Sequence, residues 1–242
     1  MIGTILNAAG ILIGGTVGLS RRKPLSAASE SYFRVILGAF TVFYGLRLTW
    51  VSISGTFLES LKQLTIVILA MTLGKLIGRG LSLQKISNHI GRRARDIMNS
   101  TQPDDPLRFG KGFKMCAALF CAAPLGILGS TQDGLSQSEY FYPLAIKGVM
   151  DGLASMSFVS LFGRGVLLAS VPVIAFQGSI TLIAARVLEP ILSLHNLVNS
   201  VNAVGGLLVF CVALVMLGLK RVELADYLPS LVTAPLITWL WR

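Results

Sequence analysis

Apolar residues in this chain fall in long unbroken runs, unlike the period-two alternation of half-buried strands or the one-sided stripe of soluble helices. A run of about 20 apolar residues is what an α-helix needs to cross a bilayer. Eight runs of roughly that kind are expected, at about 1–20, 32–49, 61–78, 112–129, 142–162, 166–189, 199–219 and 227–241. The predicted fold class is all-α: a polytopic integral membrane protein of about eight transmembrane helices, with 1–242 forming a single transmembrane domain. Only Gly163-Arg164-Gly165 separates the fifth and sixth runs, so these are either two full crossings or one broken or re-entrant element. The first run has no basic residue ahead of it and is followed by Arg21-Arg22-Lys23, the reverse of a secretory signal peptide. The last carries Pro229 and Pro235 and ends in Trp239, Leu240, Trp241 and Arg242, which suits an interfacial anchor.

Composition agrees with this pattern. Of 242 residues, 53% are apolar and 13% charged, against about a quarter charged in soluble domains, and the mean hydropathy is +0.72. The formal charge of +10 would suit nucleic acid, but the basic residues sit between apolar runs and mark topology instead. If consecutive runs cross alternately, one side receives Arg21, Arg22, Lys23, Arg34, the basic residues from Lys75 through Lys114, Arg164, Lys220 and Arg221. The other receives Arg47, Lys62, Lys147, Arg186 and Arg242. The positive-inside rule then puts the richer side in the cytoplasm and both chain ends outside.

Between Arg79 and Lys111, Leu83, Ile86, Ile90, Ala94 and Ile97 recur at helical spacing beside Lys85, Arg92, Arg93 and Arg95. This 79–111 segment is expected to be a basic amphipathic connector on anionic lipid headgroups, ending near Asn99 before Ser100-Thr101-Gln102-Pro103-Asp104-Asp105-Pro106. No nucleic-acid partner is expected.

A faint internal similarity pairs Gly3-Thr4-Ile5 with Gly178-Ser179-Ile180, and Phe43-Tyr44-Gly45-Leu46 with Met216-Leu217-Gly218-Leu219. Matching spans 1–3 to spans 6–8 would make the triplets an inverted repeat, an arrangement common in secondary transporters. Chance recurrence in a Gly-rich apolar chain is the other explanation.

Few polar residues lie within the runs, where each is costly unless it faces protein or water. Lys147 and Asp151 are four apart, so they share a helix face and can neutralise each other, with Asp151 about 13 Å below the outer end. Asn7 and Gln177 fall at similar depth, and Pro172 is placed to open the hydrogen-bond ladder of the sixth run. Arg186 and Glu189 suit a snorkelling pair, with Pro190 ending that helix. The stretch Gly129-Ser130-Thr131-Gln132-Asp133-Gly134-Leu135-Ser136 is dense in small and polar residues, as in an outer loop or vestibule. Candidate substrate- or ion-binding residues are thus Asn7, Asp133, Lys147, Asp151, Gln177 and Ser179. For Asn7 and Gln177 the plainer alternative is interhelical hydrogen bonding that only holds a bundle.

Catalysis has no support: His89 and His195 stand apart, and no nucleophile, zinc or phosphate-loop motif occurs. Cys116, Cys121 and Cys211 lie in apolar runs without partners at metal spacing. Neither an enzyme nor a metal or cofactor is expected.

Several segments carry a family resemblance: Met1-Ile2-Gly3-Thr4-Ile5-Leu6-Asn7-Ala8-Ala9-Gly10, Ile127-Leu128-Gly129-Ser130-Thr131-Gln132-Asp133-Gly134-Leu135, Lys147-Gly148-Val149-Met150-Asp151-Gly152-Leu153-Ala154-Ser155, Phe176-Gln177-Gly178-Ser179-Ile180-Thr181 and Ala203-Val204-Gly205-Gly206-Leu207. Together they resemble the YqgA/YdfK-like family of bacterial membrane proteins of unknown function. The resemblance implies a polytopic inner-membrane protein and supplies no substrate. Where such proteins often read Gly-x-Leu-Ile-Gly-Glu, this chain has Gly74-Lys75-Leu76-Ile77-Gly78-Arg79.

The expected function is secondary transport of a small solute or ion. The alternative is a non-transporting scaffold or lipid-sensing protein acting through the basic connector. A channel is less favoured, because a single chain lacks fourfold symmetry and only a homo-oligomer would restore it.

Overall fold

A computed structural model describes residues 1–21, 26–102, 104–135 and 140–241. Arg22, Lys23, Pro103, Ser136 and Arg242, used above in the topological reading, lie outside the described residues. The described elements are helical throughout. In chain order they are α1 (Ile2–Ser20), α2 (Ala27–Ser52), α3 (Phe57–Gly80), α4 (Leu83–Ser100), α5 (Arg108–Ala122), α6 (Pro124–Leu135) and α7 (Tyr142–Phe162). There follow α8 (Gly165–Leu168), α9 (Ser170–Ile183), a π-helical turn (Ala184–Leu188), α10 (Glu189–Leu194), α11 (Val198–Met216), α12 (Leu224–Tyr227) and α13 (Ser230–Leu240).

Six stretches are long and apolar enough to cross a membrane: α1, α2, α3, α7, the run Gly165–Leu194, and α11. The pair α5–α6 makes a seventh if it counts as one span, bent by 57°. This bend interrupts the expected run 112–129, and its cause is local. Pro124 has no N–H to give the Phe120 carbonyl, and it drives the preceding Ala123 into extended backbone, at φ −63°, ψ 126°. The expected eighth run is divided between α12 and the 11-residue α13, which follow α3 from Asp226 at Gly78 to Trp241 at Lys62, and neither piece alone has the length of a candidate crossing.

Gly163, with φ +64°, turns the chain between α7 and α8, and each side of that turn qualifies as a candidate crossing. The expected opening at Pro172 is corrected. Pro172 lies in the first turn of α9, where no donor is needed, and the joint falls earlier, at Ala169. Pro190 does not end its helix either. The wider turn Ala184–Leu188 precedes it, re-spacing the ladder that a missing donor would break, and α10 continues to Leu194.

The chain divides into two compact units, residues 1–33 with 87–183, and residues 34–86 with 184–242. In unit 1, α1 and α7 meet backbone to backbone. A Cβ on Gly10 or Gly14 would strike the carbonyl of Gly148 or Gly152, so these four-residue glycine spacings let the helices touch. Around them Ile11, Met115, Cys116, Phe120, Val159, Phe162, Val166 and Val173 form an apolar core. From α4, Ala94, Ile97 and Met98 pack into that core while Arg92, Arg93 and Arg95 stay exposed. The C-terminal half of the connector's apolar side is therefore engaged by protein, while Ile86 stays exposed.

Unit 2 uses the same device. Gly45 meets Gly206 and Phe210, Gly74 meets Ser230, and Gly78 meets the Asp226 backbone. Hydroxyls close its seams: Thr49 Oγ1 donates to the Ala203 carbonyl at 3.2 Å and Thr233 Oγ1 to that of Ala70 at 2.9 Å. Asp226 Oδ1 accepts from the Gln84 N–H at 2.8 Å and so caps the start of α4.

Candidate functional site

The polar residues of unit 1 gather where α1, α6, α7 and α9 approach one another. Lys147, Asp151 and Ser155 are spaced by four on α7 and share a face. Lys147 Nζ donates to Asp151 Oδ2. The lysine side chain is only 2% exposed and the aspartate 12%, so each charge depends on the other to offset its lost hydration. Lys147 Nζ also lies 5.7 Å from the centre of the Phe120 ring.

Opposite this pair, Asn7 Nδ2 of α1 donates to Gln177 Oε1 of α9 at 2.9 Å, with both side chains fully buried. The Asn7 side chain also neighbours the Asp151 carboxylate. One turn along, the Thr4 and Thr181 hydroxyls are 3.4 Å apart, and Thr181 Oγ1 donates to the Ser130 carbonyl at 3.2 Å. The glycines at 126 and 129 let α6 come close: a Cβ at Gly126 would sit 3.1 Å from Lys147 Cε and 3.2 Å from Gln177 Nε2.

Several buried polar atoms have no hydrogen-bond partner among the described residues: Asn7 Oδ1, Gln177 Nε2, Ser130 Oγ, Ser155 Oγ and both amide atoms of Gln132. Natively buried polar groups are nearly always paired, and each unpaired one costs about 1–3 kcal/mol. Of the unpaired atoms, Asn7 Oδ1 and Gln177 Nε2 belong to the amide pair beside the Lys147–Asp151 pair, and together they offer an acceptor and a donor to water or a small polar ligand. Among the described residues no group of His, Cys, Asp and Glu is arranged to hold a metal, and the three cysteines are free.

The structure thus brings together Asn7, Lys147, Asp151 and Gln177. It does not place Asp133 in an outer loop: Asp133 is buried near the end of α6, where Oδ1 accepts the Gly3 N–H at 3.4 Å and Oδ2 lies 3.3 Å from the Met1 amino group. A carboxylate there complements the positive end of α1. Ser179 is exposed on the far side of α9, and its hydroxyl donates back to the Ala175 carbonyl, so it stands outside the cluster. Gly126 stands against Lys147 and Gln177, the Ser130 carbonyl accepts from Thr181, and Ser155 shares the α7 face of Asp151; sequence reasoning did not reach these three. The available signals were Ser155 four residues after Asp151, and the helical spacing of Gly126, Ser130 and Asp133.

Unit 2 keeps its ion pairs at the margin, while its one buried carboxylate among the described residues, Asp226, is the cap of α4. Glu223 lies 3.8 Å from Lys75 and 3.7 Å from Arg79, all three partly or fully exposed, and Lys75 Nζ is 5.0 Å from the Tyr227 ring centre. Arg79, standing where the family resemblance expects an acid, thus faces one supplied by Glu223.

A family model described as "Protein of unknown function (DUF554)" matches residues 2–239. The chain is 28% identical over 237 residues to the "Uncharacterized membrane protein YdfK" of Bacillus subtilis (strain 168), covering 98% of this chain and 95% of that protein. It is also 28% identical over 244 residues to the "Uncharacterized protein YqgA" of Escherichia coli (strain K12), covering 100% of this chain and 97% of that one. No solved structure matches the chain significantly.

Proposed function

Because the chain belongs to the DUF554 family and is a multi-pass membrane protein, we propose that it is a secondary transporter of a small solute or ion, with the buried polar centre of unit 1 as its site. The observation that carries this reading is the Lys147–Asp151 pair held inside an apolar unit among unpaired polar atoms. A pair whose only work is packing gains little over apolar residues of the same volume, whereas a site must keep polar groups that a ligand can satisfy. The interrupted α5–α6 supports the same reading, since discontinuous helices are where transporters build midplane sites. Asp151 would hold a cation or proton; Lys147 would hold Asp151 between cycles or meet an anion. In this reading the protein occupies the bacterial inner membrane with both chain ends outside, and the inverted similarity of spans 1–3 and 6–8 is the sequence-level argument for alternating access.

One observation favours the scaffold or lipid-sensing alternative: the basic side chains Lys85, Arg92, Arg93 and Arg95 are all exposed. Against it, Ala94, Ile97 and Met98 beside the three arginines are spent on the unit 1 core, which leaves Ile86 as the exposed apolar residue next to Lys85. The test is counterflow and potential-driven flux in proteoliposomes over a panel of ions, amino acids and small organic acids. Transport predicts a flux that Asp151→Asn abolishes and that neutralising the four basic residues spares. Full flux in Asp151→Asn would remove Asp151 from the mechanism, and a phenotype that depends only on the basic row would favour the scaffold.

A further inference from the structure

Beside Gly126 lie the Lys147 side chain, the Gln177 amide nitrogen and the Phe120 carbonyl oxygen, and this bears on what the centre takes. Gly126 is the third residue of α6. Pro124 has no N–H and the Gly126 N–H donates to the Ala123 carbonyl at 2.8 Å, so the turn contributes the partial positive charge of a helix start rather than a free donor of its own at 126. The interruption at Pro124 brings this start against the middle of α7 and α9, beside Lys147 and Gln177. Gln177 is fully buried; its oxygen accepts from Asn7, and its nitrogen, 3.2 Å from the point a Gly126 Cβ would occupy, has no partner. Lys147 brings three N–H groups, of which the bond to Asp151 uses one. One acceptor, the Phe120 carbonyl oxygen, lies 3.6 Å from the same point, and the ammonium has donors enough to serve it as well.

Resting on the reading of this centre as a solute site, we propose that the first turn of α6, the Lys147 ammonium and the Gln177 amide nitrogen form the seat of a small anionic group of the carboxylate type. Asp151 is then the internal carboxylate that occupies Lys147 when the seat is empty. A planar carboxylate satisfies two donors at once, as the converging Lys147 and Gln177 require. The absence of a side chain at 126 is part of the fit, because a Cβ would stand between those donors. An entering anion must compete with Asp151, since two carboxylates beside one ammonium leave a buried negative charge uncompensated.

The test is calorimetric titration of the detergent-purified full chain with sodium and potassium acetate against the chlorides of the same cations at constant ionic strength. Acetate should bind with either cation. Its affinity should rise about tenfold or more in Asp151→Asn, where the internal competitor is neutral. Binding should vanish in Lys147→Met/Asp151→Asn, which removes both charges together, and in Gln177→Glu, which puts a negative charge on the seat. Should Asp151→Asn fail to fold, the comparison of wild type with Gln177→Glu decides. Heat that follows the cation whichever anion is present, equal heats for chloride and acetate, no binding at all, or acetate binding unchanged in Gln177→Glu each overturns the anion seat. Acetate binding by these rules without any flux keeps the seat and removes transport; cation flux without anion binding does the reverse.

Discussion

Both units bring helices into backbone contact through glycine, yet among the described residues only unit 1 buries an ion pair and a bonded pair of amides beside the contact. Gly10 and Gly14 on Gly148 and Gly152 correspond in kind to Gly45 on Gly206 and Gly78 on Asp226. In unit 2 the hydroxyls beside such contacts donate to carbonyls one helix away, and the buried Asp226 carboxylate caps α4. Asn202 leaves one amide oxygen without a partner among the described residues, and the ion pairs stay at the margin around Glu223. In unit 1 the same close approach surrounds Lys147, Asp151, Asn7 and Gln177, with acceptors and donors left over. Close packing with little surplus polarity makes a scaffold. Surplus polar atoms inside close packing are a standing cost, which binding a solute would offset.

The largest effect should come from breaking the pair on one side. Lys147→Met leaves Asp151 buried without its partner and should cost about 3–5 kcal/mol in detergent unfolding, while Lys147→Met/Asp151→Asn should recover much of it. Glycine substitutions should be felt alike in both units. A Cβ at Gly148 would lie 2.9 Å from Asn7 Cα, and one at Gly206 2.6 Å from the Gly45 carbonyl oxygen. Gly148→Val and Gly206→Val should therefore each destabilise by about 1–3 kcal/mol in the same unfolding measurement. Thr233→Val, which removes one interhelical hydroxyl bond in unit 2, should cost only about 0.6 kcal/mol.

The smallest effect lies outside the membrane. The Lys111 ammonium, then the Leu107 N–H, holds the Asp105 carboxyl below the usual carboxylate range. A lowered folded pKa means that its stabilisation is present above the ordinary value and is lost as pH falls through the folded one. Asp105→Asn should thus melt slightly below wild type at neutral pH, and the two should converge when melted in acid.

How much of this was legible depended on contrast along the chain. Lys147, Asp151, Asn7 and Gln177 stood out because each interrupts an apolar run, and four-residue spacing put the charged pair on one face. Ser130, Gln132 and Asp133 were hidden by their neighbours: a stretch so rich in small and polar residues has the composition of a loop, and only packing against α1, α7 and α9 makes it a buried helix. Ser179 was misplaced for a geometric reason. Gln177 and Thr181 are four apart and both face α1, which turns the residue midway between them to the opposite side. The bend at Ala123–Pro124 was present in the residues, but a proline within a long apolar run does not announce whether the helix kinks or stops. The internal similarity paired glycines with different work: Gly45 sits mid-helix in a close contact, whereas Gly218 takes φ +71° past the end of α11.

The central claim is that the polar centre of unit 1 opens to water during function while the seams of unit 2 stay dry. With Cys116, Cys121 and Cys211 replaced by alanine, Ser130→Cys and Thr233→Cys can be compared directly for alkylation by a small water-soluble thiol reagent in native membranes. The account predicts that Ser130→Cys is labelled and Thr233→Cys is not. Equal protection of both would contradict it and make the Lys147–Asp151 cluster a structural fastening like the hydroxyls of unit 2.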